Sequence, residues 1–190
     1  MRSPGNELPD SFAFDPTTPV PYSPSLEWRQ VGEADECGTL EMRDDVLVYS
    51  TAELLESMII CGPLRVRLFA SSSAVDTDWT AKIVNVYPDG RAVRLNDGAV
   101  RAQFRKSVYA PTLLTPGAVE SYDINCSATC VELPRGHRLR LEISSSAFGK
   151  FDVNPNTGAT IGQEVSSVRA HQVIFHCAKF PSHLIVPVIR

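Results

Sequence analysis

Ser144, Ser145 and Ser146 stand in a run, and the chain carries four histidines and several aspartates. A serine, an imidazole and a carboxylate are the parts of a nucleophilic acyl-transfer site, but composition alone does not assemble them. The usual device that activates such a serine is a GxSxG turn between a strand and a helix, which exposes the hydroxyl beside an oxyanion hole. No GxSxG occurs in the 190 residues. The three serines instead end the alternating run HRLRLEISSS, where small hydroxyl side chains pack or bond backbone, so they are read as structural and no residue is assigned a catalytic role.

Two other groupings could hold a ligand. Asp76 and Asp78 in VDTDW, or Asp152, Asn154 and Asn156 in FDVNPNTG, place oxygens on alternating loop positions, the ligand type a hard cation requires. The same residues build turns in which the side chain accepts from nearby backbone N–H groups, and that is the reading adopted, with no metal or other cofactor. His171 and His176 flank a strand and His183 follows, but a spacing of five puts two strand side chains on opposite faces. Tyr22, Trp28, Trp79, Phe148 and Phe151 are candidates for stacking on sugar rings, with Trp79 at the start of an apolar strand. The five cysteines Cys37, Cys61, Cys126, Cys130 and Cys177 show no paired CxxC pattern and are read as buried free thiols.

The elements that must position these residues are strands. Leu64, Val66, Leu68 and Ala70 alternate with Arg65, Arg67 and Phe69 at a period of two, and Trp79–Tyr87 forms the next run. PDG at 88–90 and NDG at 96–98 supply hairpin loops, so three consecutive antiparallel strands are expected. Further strands are expected at 46–50, 119–124, 128–133, around Leu139, Leu141 and Ile143, and at 172–177 and 183–189, the last with Pro187 at an edge. TAELLES at 51–57 has too few apolar positions to choose between helix and strand. Eight or nine strands with almost no helix signal predict an all-β sandwich or jelly roll. Residues 1–40, rich in Pro, Ser, Asp and Glu, are read as an extended lead-in over the surface of a domain spanning 41–190.

Composition narrows the function classes. A net charge of −4 and scattered basic residues, with Arg65, Arg67, Arg91, Arg94, Arg101 and Arg105 at expected solvent-facing positions, argue against nucleic acid. MRSPGNELPD lacks the apolar core of a secretory signal and no run of about 18 apolar residues occurs, which predicts a cytoplasmic protein with no membrane partner.

Several stretches resemble one family. Gly62–Arg105, DDVLVYST at 44–51, SSSAFGKFDVNPNTG at 144–158, FAFDPTTPVP at 12–21 and FPSHLIVPVI at 180–189 are similar to the C-terminal domain of the cocaine esterase and X-Pro dipeptidyl-peptidase family of serine hydrolases. The resemblance implies a jelly-roll β-sandwich of galactose-binding-domain-like type, packed on an α/β-hydrolase domain that holds the catalytic Ser, Asp and His. It implies that the loop after PVP, here 22–28, adds apolar side chains to the acyl pocket, which points to Leu26 and Trp28. The family commonly has two glycines where this chain has Pro24 and Ser25.

The expectation is an accessory domain, not catalytic alone, that supports an α/β-hydrolase domain or subunit acting on an ester, amide or X-Pro peptide. A face left bare of that partner would promote self-association. The alternative is a free-standing module that binds carbohydrate or another small ligand.

Overall fold

The computed structural model describes residues 5–22, 40–163 and 166–189. Its strands in chain order are β1 Asp10–Phe14, β2 Leu47–Ser50, β3 Met58–Ser72, β4 Asp78–Val86, β5 Ala92–Arg101, β6 Glu120–Leu133, β7 Arg138–Ser144, β8 Ala170–Phe175, β9 His183–Ile185 and β10 Val188–Ile189. One sheet runs β1-β8-β3-β6, with β9 and β10 continuing along the β8 side of β3. The other runs β2-β7-β4-β5, and every pairing is antiparallel. From β1 to β8 successive strands alternate between sheets except at the β4–β5 hairpin, which is the winding of a jelly roll.

The period-two pattern is what closes the core. On β3, Leu64, Val66, Leu68 and Ala70 point inward and meet Trp79, Ala81 and Ile83 of β4, Tyr122 and Ile124 of β6, and Ile143 of β7. Phe12 and Phe14 of β1 join the same cluster, so the stretch read as a lead-in also contributes a strand and two core aromatics. At roughly 1.5–3 kcal/mol for each large apolar side chain withdrawn from water, these rows dominate the favourable side of folding.

The expected three-strand meander is corrected. β3 and β4 lie in opposite sheets, and only the PDG turn closes a hairpin, with Tyr87 N donating to Arg91 O at 2.8 Å and Gly90 at φ 89°. NDG lies within β5, where a bulge sets Arg94, Leu95 and Asn96 against Ile83 and Val84. The strands expected at 119–124 and 128–133 are one strand, β6, bent where Cys126 and Ser127 oppose the single residue Leu64 and Ser127 takes φ 62°. TAELLES is neither helix nor strand; it is a loop tied by Leu54 N to His137 O at 2.8 Å. Pro187 falls between β9 and β10, where its carbonyl accepts from Cys61 N at 3.0 Å.

The cysteine and arginine expectations are corrected in part. Cys61 and Cys130 are register partners across β3 and β6 and form a disulfide. Cross-strand opposition brings together two residues that no sequence motif pairs. Cys126 is a buried free thiol, and burial pushes its pKa up to about 12. Cys37 lies outside the described residues. Arg65 and Arg91 face solvent, whereas Arg94 is buried, Arg101 pairs with Asp78 at 2.9 Å, and Arg105 is drawn in by the carbonyls of Ala102 and Thr112 and by Glu120.

Strand direction separates the two ends of the sandwich. The connections 15–46, 73–77, 102–119 and 145–169 all leave one end, and 51–57, 87–91, 134–137 and 176–182 leave the other. Long connections on a rigid sandwich are where recognition surfaces are built.

Candidate functional site

Beneath the long-loop end lies a buried polar cluster assembled from four parts of the chain. Asp76 accepts from Gln103 N at 2.9 Å, Gln103 Nε2 at 3.1 Å and Asn154 Nδ2 at 2.9 Å. The same Asn154 amide donates to Asp78 Oδ1 at 2.9 Å, and Arg101 holds both Asp78 oxygens, at 2.9 and 3.0 Å. Burial pushes the Asp78 carboxyl above the usual carboxylate range even though Arg101 and Asn154 pull it down. Asn154 Oδ1 accepts from Asn156 N at 2.8 Å, the Asx turn read from FDVNPNTG, and Asn156 at φ 66° donates to Val168 O at 2.7 Å. Protein donors occupy the carboxylates, so the cluster fastens the loops 102–119 and 145–169 to the sandwich. Its sequence signal was present in the Asx positions; their union across the fold was not.

The serines are spent on structure. Ser144 Oγ lies 2.6 Å from Thr80 Oγ1, Ser145 Oγ accepts from Gln172 Nε2 at 3.0 Å, and Ser146 Oγ accepts from Val20 N at 2.8 Å. Trp79 is fully buried, with its ring centroid 5.7 Å from that of Tyr122, so it presents no face to a sugar. His171 begins β8, whereas His176 and His183 lie towards the opposite end of the domain. Among the described residues no group of three or more His, Cys, Asp or Glu side chains has metal-binding geometry.

Leu26 and Trp28 lie outside the described residues, but the root of their loop is well defined. Tyr22 N donates to Phe148 O at 2.9 Å and Phe148 N to Val20 O at 2.8 Å, which lashes the chain before the loop to the FGKF turn. The buried Tyr22 ring lies 4.2 Å from the Arg94 guanidinium carbon and 4.9 Å from Lys150 Nζ, and Lys150 is held by Asp97 at 2.6 Å. These contacts anchor the segment that delivers residues 22–28. Sequence reasoning did not find them, because Arg94 reads as a solvent-facing sheet position and Asp97 as part of a hairpin loop.

The outer face of the second sheet carries a buried charge cluster beside this root. Lys82 Nζ is 3.4 Å from Glu142 Oε2, and Arg140 grips Glu41 through two contacts of 2.6 Å. Burial pushes the Glu142 pKa up to about 7, Lys82 pulling it down and Glu41 pushing it up. Between the carboxyl's ordinary value and about 7 the folded state therefore binds the extra proton, so this group's contribution to stability falls as pH rises through that window. We expect Glu142→Gln to flatten the decline of unfolding free energy between pH 5 and 7, by about 2 kcal/mol relative to wild type, in urea titrations at several pH values. Parallel curves for the two proteins would refute the assignment.

Comparison with known proteins follows this geometry. Residues 2–185 match the family model described as the X-Pro dipeptidyl-peptidase C-terminal non-catalytic domain. Cocaine esterase of Rhodococcus sp. (strain MB1 Bresler) is 41% identical over 191 residues, covering 98% of this chain and 33% of that protein. An aminopeptidase from a marine sediment Thaumarchaeota archaeon superposes with a TM-score of 0.90 at 27% identity, over 100% of this chain and 34% of that one. An α-amino acid ester hydrolase gives 0.88 at 25% identity, over 97% and 33%. The chain thus spans about a third of the length of these relatives. It belongs to the X-Pro dipeptidyl-peptidase C-terminal non-catalytic domain family.

Proposed function

We propose that this jelly roll supports an α/β-hydrolase domain, in the same chain or as a separate subunit, that performs nucleophilic acyl transfer on an ester, amide or X-Pro peptide. Its long-loop end would shape access to the active site, with Leu26 and Trp28 lending apolar surface to the acyl pocket. The observation that carries this reading is the lashing of the chain at Val20–Tyr22 to the FGKF turn, which gives the following loop a rigid base. Such support is what a positioning role needs, because catalytic geometry is lost by displacements of about 1 Å. Self-association of the isolated chain and a cytoplasmic address belong to the same reading. The alternative of a carbohydrate module loses Trp79 as a stacking platform.

Treating the purified chain with a fluorophosphonate probe and p-nitrophenyl acetate is expected to give neither labelling nor turnover, and stoichiometric labelling of one serine would overturn the accessory role. With the chain joined to its hydrolase domain, Leu26→Ala or Trp28→Ala is expected to lower kcat/KM for acyl esters about tenfold, the scale of lost apolar pocket contacts. Unchanged kinetics in both variants would remove the pocket role while leaving the support role standing.

A further inference from the structure

At the short-loop end, away from the lashed loop, the space between the two sheets opens as a groove of about 690 Å³. Its walls are the inward side chains Val66 and Leu68 of β3, Leu141 and Ile143 of β7, Ile174 of β8 and Leu184 of β9. The chain leaves β3 after Phe175, paired with Phe69, and rejoins it at His183, paired with Arg67, and the intervening excursion frames one side of the opening. A volume of this size lined by apolar side chains with a few polar groups at the mouth is that of a small-molecule site.

The polar groups at the mouth decide which molecule. Glu7 lines it, and Asp10 stands behind it, accepting from Tyr49 OH at 2.8 Å. His176 places Nδ1 3.0 Å from Glu7 and Nε2 3.0 Å from Asp10, so two carboxylates share at most one imidazolium and, among the described residues, the mouth keeps a net negative charge. His183 Nδ1 is 2.6 Å from the Pro181 carbonyl, which can only accept. Nδ1 donates in that contact, and as the register partner of Arg67 His183 shares its outward face, opposite the inward pair Val66 and Leu184. Arg140, on the wall, is engaged by Glu41 and by Ser50 at 2.8 Å.

We propose that this groove binds a small amphiphilic amine, its apolar body between the sheets and its ammonium donating to Glu7 at the mouth. Among the described residues the carboxylates at the mouth exceed the positive charge beside them, so an ammonium is compensated there and an anionic head of the same length is repelled. The inference goes beyond the accessory-domain reading and stands without it.

The test is titration of the isotope-labelled chain with octylammonium, octanoate and octanol, followed by amide NMR shifts. The expected result is saturable binding of octylammonium at about millimolar or tighter, with shifts at Tyr49, Leu141, Ile174 and Leu184, and octanoate at least tenfold weaker. Glu7→Gln, a change at an exposed side chain, is expected to weaken octylammonium about fivefold and leave octanol unchanged. Equal or tighter binding of octanoate, absence of saturable shifts, or shifts confined to other surfaces would overturn it. So would loss of octylammonium binding when the chain is joined to its hydrolase domain, since that outcome assigns the groove to a domain interface.

Discussion

Asn154→Ala is expected to cost about 3–4 kcal/mol of unfolding free energy at pH 7, because one buried amide serves two buried carboxylates. Its Nδ2 donates to Asp76 and Asp78, both at 2.9 Å, and its Oδ1 holds the Asx turn at Asn156. Hydrogen bonds to charged groups contribute roughly 1.5–3 kcal/mol each, and alanine removes both donors without readmitting water in their place. The charged carboxylates are the forms that use these donors. The Asp78 carboxyl already sits above its ordinary range, and losing Asn154 raises it further. The penalty should therefore grow as pH rises from 4 to 7, as the variant's Asp78 carboxyl ionises without its partner. Chemical denaturation at both pH values measures it, and a change below about 1 kcal/mol at pH 7 would show that the cluster does not secure the loops. Amide exchange should rise first in 102–119 and 145–169, the connections that the cluster fastens, while the β3–β6 pairs stay protected.

Gly98→Ala is expected to be nearly as damaging, for a steric reason. Gly98 lies on the inner side of β5, opposite Ala81, at the seam where β5 crosses β6 of the other sheet. A Cβ there would fall inside the contact radius of the Asn125 carbonyl oxygen and lie 2.9 Å from its carbon and 3.2 Å from Cys126 Cα. These are backbone atoms at the edge of the β6 bulge, so no side-chain rotation relieves the clash and one sheet must shift against the other. Overpacking of a core costs about 1–3 kcal/mol when side chains can yield, and the upper end or more is expected where backbone must. Gly5→Ala, where the added Cβ meets nothing within 4 Å, serves as the control and should stay within about 0.5 kcal/mol. Equal melting temperatures for Gly98→Ala and wild type would refute the close approach.

The two substitutions mark the limit of what local sequence could convey. The Asp-Gly signal at 97–98 is the same dipeptide that turns the hairpin at 89–90, yet one glycine supplies a positive φ and the other an absent Cβ. Both uses follow from the missing side chain, and only a neighbour remote in sequence distinguishes them. The arginines divide in the same way. Arg65 and Arg94 both read as solvent-facing, but the outer face of the β3 sheet leaves Arg65 exposed, whereas Tyr22 packs over Arg94 on the other sheet.

From the residues alone, the all-β class, most strand positions and the inward row of β3 were legible, because period-two burial is written in consecutive residues. The absence of a GxSxG nucleophile in these residues and the Asx turn at Asn154 were legible for the same reason. Tertiary structure alone decided which strands share a sheet and that the long connections gather at one end. It also decided that Cys61 meets Cys130, that Asn154 bridges Asp76 and Asp78, and that an apolar groove opens beside His176. Each of these depends on the register between segments far apart in the chain, and register is set by the packing of the whole sandwich rather than by any single stretch.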